Sequence, residues 1–156
     1  MTFALIGALA VIILVLFMKL NKHLIIFEYL FFWLLILFVF TTLFDVGTHH
    51  HLFSISNKVS DYYSLRLTEF VIIPVLLLTF LDRISTRKSV RNKLVMTVIM
   101  FLLLLGVETI LRNWVQAFQY DQWSMGKSMM TWLGFFAFLY ISHHIFQSLW
   151  IKGRYS

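Results

Sequence analysis

The chain reads as an all-α polytopic membrane protein, a bundle of five transmembrane helices with its N-terminus outside and its C-terminus cytoplasmic. Three observations predict this. First, of 156 residues 60% are apolar and only 13% charged, whereas a water-soluble domain sits at about half apolar and about a quarter charged. Second, the apolar residues fall into five long, nearly uncharged runs. Third, lysine and arginine alternate between the segments that join those runs.

The first run, Thr2 to Met18, starts without a basic segment ahead of it. Its Ala-rich start leads into further apolar residues with no cleavage signal, so it reads as a retained span. The second runs from Ile25 to Phe44. The third, Leu65 to Leu81, carries Arg66 and Glu69 near its start and the only proline, Pro74, in its interior. A proline there removes a helical donor and crowds the preceding turn, which predicts a kink. The fourth and fifth runs are Leu94 to Leu111 and Met129 to Trp150. Each approaches the roughly 20 residues (range about 17 to 25) that a helix needs to cross the hydrocarbon. A helix also bonds its own backbone groups, as lipid requires. No repeat or low-complexity linker interrupts the pattern, so residues 1–156 read as a single transmembrane domain. Cysteine is absent, which removes disulfides, thiolate metal ligands and a cysteine nucleophile.

Orientation follows from the positive-inside rule. Lys19 and Lys22 follow the first span, Arg83, Arg87, Lys88, Arg91 and Lys93 crowd "DRISTRKSVRNK" after the third, and Lys152 and Arg154 follow the fifth. The opposite side holds Lys58, Arg66, Arg112 and Lys127, mixed with Asp45, Asp61, Glu69 and Asp121. The net charge of +6 is thereby a product of topology. It predicts attraction of the cytoplasmic loop 82–93 to anionic headgroups and needs no nucleic-acid partner.

The strongest polar constellation lies in "LGVETILRNWVQAFQYDQW". Span four runs outward, so Glu108 lies ~21 Å along it, with Arg112 one turn higher. A carboxylate four residues before a cation suits an ion pair, which lipid favours over two unpaired charges. Glu69, near the outer edge of span three, is placed to complete a Glu69, Arg112, Glu108 cluster, with Arg66 competing for it. Asn113, Gln116 and Gln119 carry the polar side onward. Trp114, Tyr120, Trp123 and Trp132, with Tyr62 and Tyr63, surround it, either as an aromatic belt or as the wall of an outward-facing ligand or lipid-headgroup pocket.

Histidines form two further groups. "DVGTHHHLF" places His49, His50 and His51 in the outer loop, where Asp45 and His49 share a helix face at a chelating spacing. Adjacent imidazoles diverge, however, so a zinc site there would need ligands from elsewhere, Asp61 and Asp121 being on the same side. The default expectation is a solvated loop without cofactor. His143 and His144 lie in the inner half of span five, ~10 Å from its inner boundary. Glu28 sits at an overlapping depth on span two. The three residues predict either an inner intramembrane pair or local bonding of each to its own surroundings.

No helical HExxH, GxSxG or phosphate-binding glycine loop is present, which points away from an enzyme. The stretch "VETILRNWVQAFQYDQWSMGKSMMTWL" sets a carboxylate in span four, a short aromatic and polar outer loop, and a last span bearing a tryptophan. It resembles small five-span membrane proteins of unknown function from spore-forming low-GC Gram-positive bacteria. The resemblance covers spans four and five, roughly the last third, and implies a bacterial plasma-membrane home without supplying an activity. The expectation is an assembly or sensing component, with a membrane-protein partner or a second copy of itself. The rivals are an ion- or proton-coupled transporter subunit using Glu108, Arg112 and Glu69, and a membrane metalloenzyme using His49 to His51.

Overall fold

A computed structural model describes residues 2–20, 24–87 and 89–153. Lys22, Lys88 and Arg154, three of the cations behind the predicted orientation, lie outside the described residues. The elements in chain order are α1 (Thr2–Lys19), α2 (Ile26–His49), β1 (Phe53–Ile55), α3 (Val59–Leu67), a π-helical turn (Thr68–Ile72), α4 (Ile73–Thr86), α5 (Val90–Asn113), β2 (Phe118–Tyr120) and α6 (Met125–Gly153). The chain forms two compact units, Met1–Ser124 and Met125–Ser156. Among the described residues four helices are long and apolar enough to cross a membrane: Ile26–His49, Val59–Thr86, Val90–Asn113 and Met125–Leu149. The apolar helix Phe3–Lys19 is shorter than these.

Within the first unit the helix built from α3, the π-turn and α4 is the axis. It packs against α1 and α2, and α4 also packs against α5. Val75, Leu77, Leu78, Phe80 and Leu81 of α4 are each 1% exposed or less. By contrast Leu34 and Phe38 of α2 and Val98 and Leu102 of α5 are exposed. Large apolar side chains on the outside of a helix are stable when the surrounding solvent is lipid. The hydroxyls within these helices are satisfied locally, as Thr42 donates to Phe38 C=O, Thr79 to Val75 C=O and Thr109 to Leu105 C=O, each at 2.7 Å. Bonding back one turn lets a polar side chain sit in an apolar helix at little cost.

The kink expected at Pro74 takes a specific form. Ile73 N–H reaches back five residues to Thr68 C=O, so the turn just before the proline is wider than an α-turn. Pro74 has no N–H and its ring would strike the carbonyl one turn earlier. Widening the preceding turn accommodates both.

The two ends of this unit are closed by different chemistry. At one end Asp82 is 3% exposed and accepts from Leu24 N–H at 3.0 Å and Tyr29 Oη–H at 2.7 Å. A carboxylate near the C-terminus of a helix opposes the helix dipole. Its place in α4 is explained by these bonds, which tie α4 to the start of α2. Beside it Glu28, the third residue of α2, turns back to accept from Ile25 N–H at 3.0 Å, the acidic half of a capping box. At the other end α2 and α5 run into β1 and β2, which pair antiparallel with Phe53 opposite Tyr120, Ser54 opposite Gln119 and Ile55 opposite Phe118. A core cluster of Ile6, Ala10, Phe44, Leu65, Ile72, Leu111, Val115, Ala117 and Phe118 lies beneath this ribbon.

Candidate functional site

The ribbon end is where most of the predicted site residues fall, and helix termination puts them there. Helix α2 ends in a Schellman motif: Leu52 N–H donates to Gly47 C=O at 2.9 Å and His51 N–H to Thr48 C=O at 3.1 Å. His51 takes the left-handed conformation (φ 54) that glycine usually supplies at this position. The chain then turns so sharply that the Phe53 ring lies on Gly47, where any Cβ would collide with it. Leu52 C=O accepts from the N–H groups of Asp121, Gln122 and Trp123 at 3.0, 3.0 and 3.1 Å, which fastens the far side of β2. The Phe53 ring packs against Phe44, Phe118 and Trp123 at centroid separations of 4.7, 6.1 and 6.3 Å.

Helix α5 ends by a related device. Val115 N–H donates to Ile110 C=O at 3.0 Å and Ala117 N–H to Leu111 C=O at 2.9 Å, while Gln116 is left-handed (φ 55). This reversal carries β2 back over the end of its own helix. Tyr120 therefore reaches Glu108, twelve residues earlier, and donates its hydroxyl to Glu108 Oε1. The same ring carries Arg112, whose guanidinium carbon lies 4.5 Å from the ring centroid. Arg112 Nε also donates to Asn113 Oδ1 at 3.1 Å. An open depression of about 410 Å³ is lined by Arg112, Asn113, Gln116, Gln119 and Tyr120. It offers a cation held by a ring, three side-chain amides and a phenol, a set suited to polar or anionic groups.

This geometry corrects the ion pair expected between Glu108 and Arg112. Among the described residues Arg112 makes no salt bridge; Tyr120 stands between the two, with its hydroxyl on the carboxylate and its ring under the guanidinium. Glu69 belongs to a different site, where Arg66 holds it at 2.7 Å. Arg66 Nε also donates to Tyr62 Oη at 3.2 Å and lies over the Tyr62 ring. The competitor noted in the sequence is thus the partner in the fold. Trp114 is 79% exposed and lines nothing in the depression, and Trp123 is taken up by Phe53.

The histidines are distributed between the units. His49 and His50 are exposed, with rings 5.6 Å apart and nearly perpendicular. Asp45, the other half of the proposed chelating pair, is exposed as well. Asp61 is buried and occupied, accepting from Ser56 and Ser60 hydroxyls at 3.2 and 3.1 Å. Among the described residues no group of three or more histidines and carboxylates is arranged to hold a metal. His143 and His144 lie on α6, in the second unit, while Glu28 caps α2 in the first.

Two structural elements leave little trace in the sequence. The ribbon consists of three-residue strands, too short to show alternation, although the aromatic and β-branched letters of "FSI" and "FQY" carry a faint β signal. Asp82 opens a basic segment, and an acid at the end of an apolar run is its only sign in the sequence. No protein family, curated protein or solved structure matches this chain.

Proposed function

We propose that this chain is a non-enzymatic, multi-pass protein of a bacterial plasma membrane, an assembly or sensing component whose ribbon end faces outward and receives a polar or anionic group. The proposed layout is a five-span bundle with N-terminus outside and C-terminus cytoplasmic. In it α1, with 18 residues and a length of ~27 Å, joins the four longer helices as the first span across a hydrocarbon layer of about 30 Å. The basic segment between α4 and α5 then lies on the cytoplasmic side against anionic headgroups.

The observation that carries this reading is Arg112. It lines an open depression, stacks on Tyr120 and makes no salt bridge among the described residues. A guanidinium fixed by a ring but not neutralised by a carboxylate keeps its donors for an incoming acceptor. A headgroup phosphate and free phosphate share that chemistry, and the test separates them. Purified protein in nanodiscs of a zwitterionic lipid is titrated with inorganic phosphate in one series and compared in a second at rising fractions of phosphatidylglycerol, following tryptophan fluorescence. Reporter fusions after Asn57 and Arg91 establish which side the ribbon end occupies. The expected result is an external ribbon end and a saturable response in at least one series that Arg112→Gln abolishes and His49→Ala preserves. A response of equal size in Arg112→Gln, no response in either series, or a cytoplasmic ribbon end rejects the reading.

A further inference from the structure

The other acidic site near the ribbon is built differently. Glu69 is 1% exposed, and its carboxylate is used on one side only. Oε2 accepts from Arg66 at 2.7 Å, while Oε1 is buried and has no hydrogen-bond partner among the described residues. A buried acceptor left without a donor forfeits the hydrogen bond it would make in water, so such an atom calls for an explanation. The main chain compounds the shortage. Ile73 N–H is given to Thr68 C=O and Pro74 has none to give, so the Glu69 carbonyl loses the donors that an α- or π-turn would offer it. Two acceptors of one residue thus converge on a stretch poor in donors.

Few charges face this residue. Arg66 stands on the same helix, with Tyr62 behind it. Asp45 of α2, which packs beside the π-turn, acts on Glu69 through its charge. Helix α1 also packs along the π-turn, and its one ionisable side chain, Lys19, is at its last residue. Asp61, two turns earlier, is taken up by Ser56 and Ser60. Asp82 and Arg83 of α4 lie ~20 Å further along the helix.

We propose that Glu69 is an exchangeable-proton site, which takes up a proton at Oε1 while Arg66 holds Oε2. The only bond made or broken is the O–H bond. The proton converts a lone acceptor into a donor and removes the charge from a side chain that is 1% exposed. Arg66 is 26% exposed, so its cation turns to Tyr62 and solvent when Glu69 becomes neutral. The π-turn places the switch where the helix already departs from a regular ladder. This site shares no residue with the Arg112 depression, and the inference stands independently of what binds there.

The test is an infrared pH titration of the full chain in nanodiscs, with 13C at the glutamate carboxyl carbons. The chain has three glutamates, Glu28, Glu69 and Glu108, so Glu28→Gln and Glu108→Gln assign the signals by elimination even where Glu69→Gln does not fold. A labelled protonated-carboxyl band should persist in both of those variants and disappear in Glu69→Gln. Its midpoint should fall in Asp45→Asn, where a repelling charge is lost, and rise in Arg66→Gln, where the attracting charge is lost; Arg66→Lys should restore most of that rise. Absence of such a band at every pH at which the chain stays folded overturns the proposal. So does a band whose midpoint ignores both Asp45→Asn and Arg66→Gln.

Discussion

The segments "RLTE" and "ETILR" each put one arginine and one glutamate within a helical turn, yet only in the first do the two charges pair with each other. Arg66 and Glu69 meet at 2.7 Å. Glu108 and Arg112 are separated by Tyr120. The order of charges does not explain this, because glutamate before a cation at four residues is the better helical arrangement and belongs to the pair that stays apart. Magnitudes do. Such a pair on a helix surface is worth about 0.2–0.5 kcal/mol. A hydrogen bond to a charged group is worth about 1.5–3 kcal/mol, and a cation over a ring adds about 0.5–2. Where the chain folds Tyr120 back over α5, both residues gain more from the tyrosine than from each other. Glu69, buried in the middle of a continuous helix, is offered no rival to Arg66. The lesson is that the same letters give a latch inside a helix and an open rim at its end, and the deciding residue lies outside the motif.

Several substitutions sharpen or break this contrast. The largest effect is expected at Arg66. Arg66→Gln strands the Glu69 charge in a buried place and should lower the stability of the detergent-solubilised protein by about 3 kcal/mol, measured by denaturant titration. Glu69→Gln leaves a cation that can reach solvent and should cost about half as much. Equal losses would mean that Glu69 is wetter than its burial indicates. Next is Gly47→Ala, which pushes a methyl group into the Phe53 ring and should cost about 1–3 kcal/mol, the range for overpacking. Because the ribbon holds Tyr120, this change should also shift the Trp123 fluorescence, whereas Arg66→Gln should leave it in place. The smallest is His51→Gly. A non-glycine residue in the left-handed region is strained by about 1–2 kcal/mol, and the extra freedom of glycine when unfolded returns about 0.5–1, so a net gain of about 0.5 kcal/mol is expected. His49→Ala and His50→Ala, on the exposed helix end, should change stability by less than ~0.5 kcal/mol. A large loss at either position, with added zinc stabilising the parent but not the variant, would support the metal site.

The helices run beyond the apolar runs that hydropathy picks out. The run read as Ile25 to Phe44 continues helically to His49, and the run that began at Leu65 starts at Val59. In both cases the extension is polar: Thr48 is bonded to its own helix, and Asp61 to Ser56 and Ser60. Helix ends are set by capping and chain reversal, which a count of apolar letters does not register. Pro74 announced an irregularity, but whether the turn would tighten, break or widen depended on packing around Ile72 and Ile73. Arg66, Glu69, Glu108, Arg112 and Tyr120 were all identified from their letters. The grouping of Tyr120 with Glu108 and Arg112 was not, because it rests on two left-handed residues, His51 and Gln116, and on strand pairing across more than sixty positions. No local signal encodes that pairing.

The most direct measurement is a pair of double-mutant cycles on the stability of the purified protein, one with Arg66→Gln and Glu69→Gln, the other with Glu108→Gln and Arg112→Gln. For residues in direct contact the coupling lies at about 0.5–3 kcal/mol. The expected result is a coupling of about 2 kcal/mol or more for Arg66 with Glu69, and below ~1 kcal/mol for Glu108 with Arg112, whose link passes through Tyr120. Equal couplings, or the larger one between Glu108 and Arg112, would contradict the division into a buried latch and an open rim.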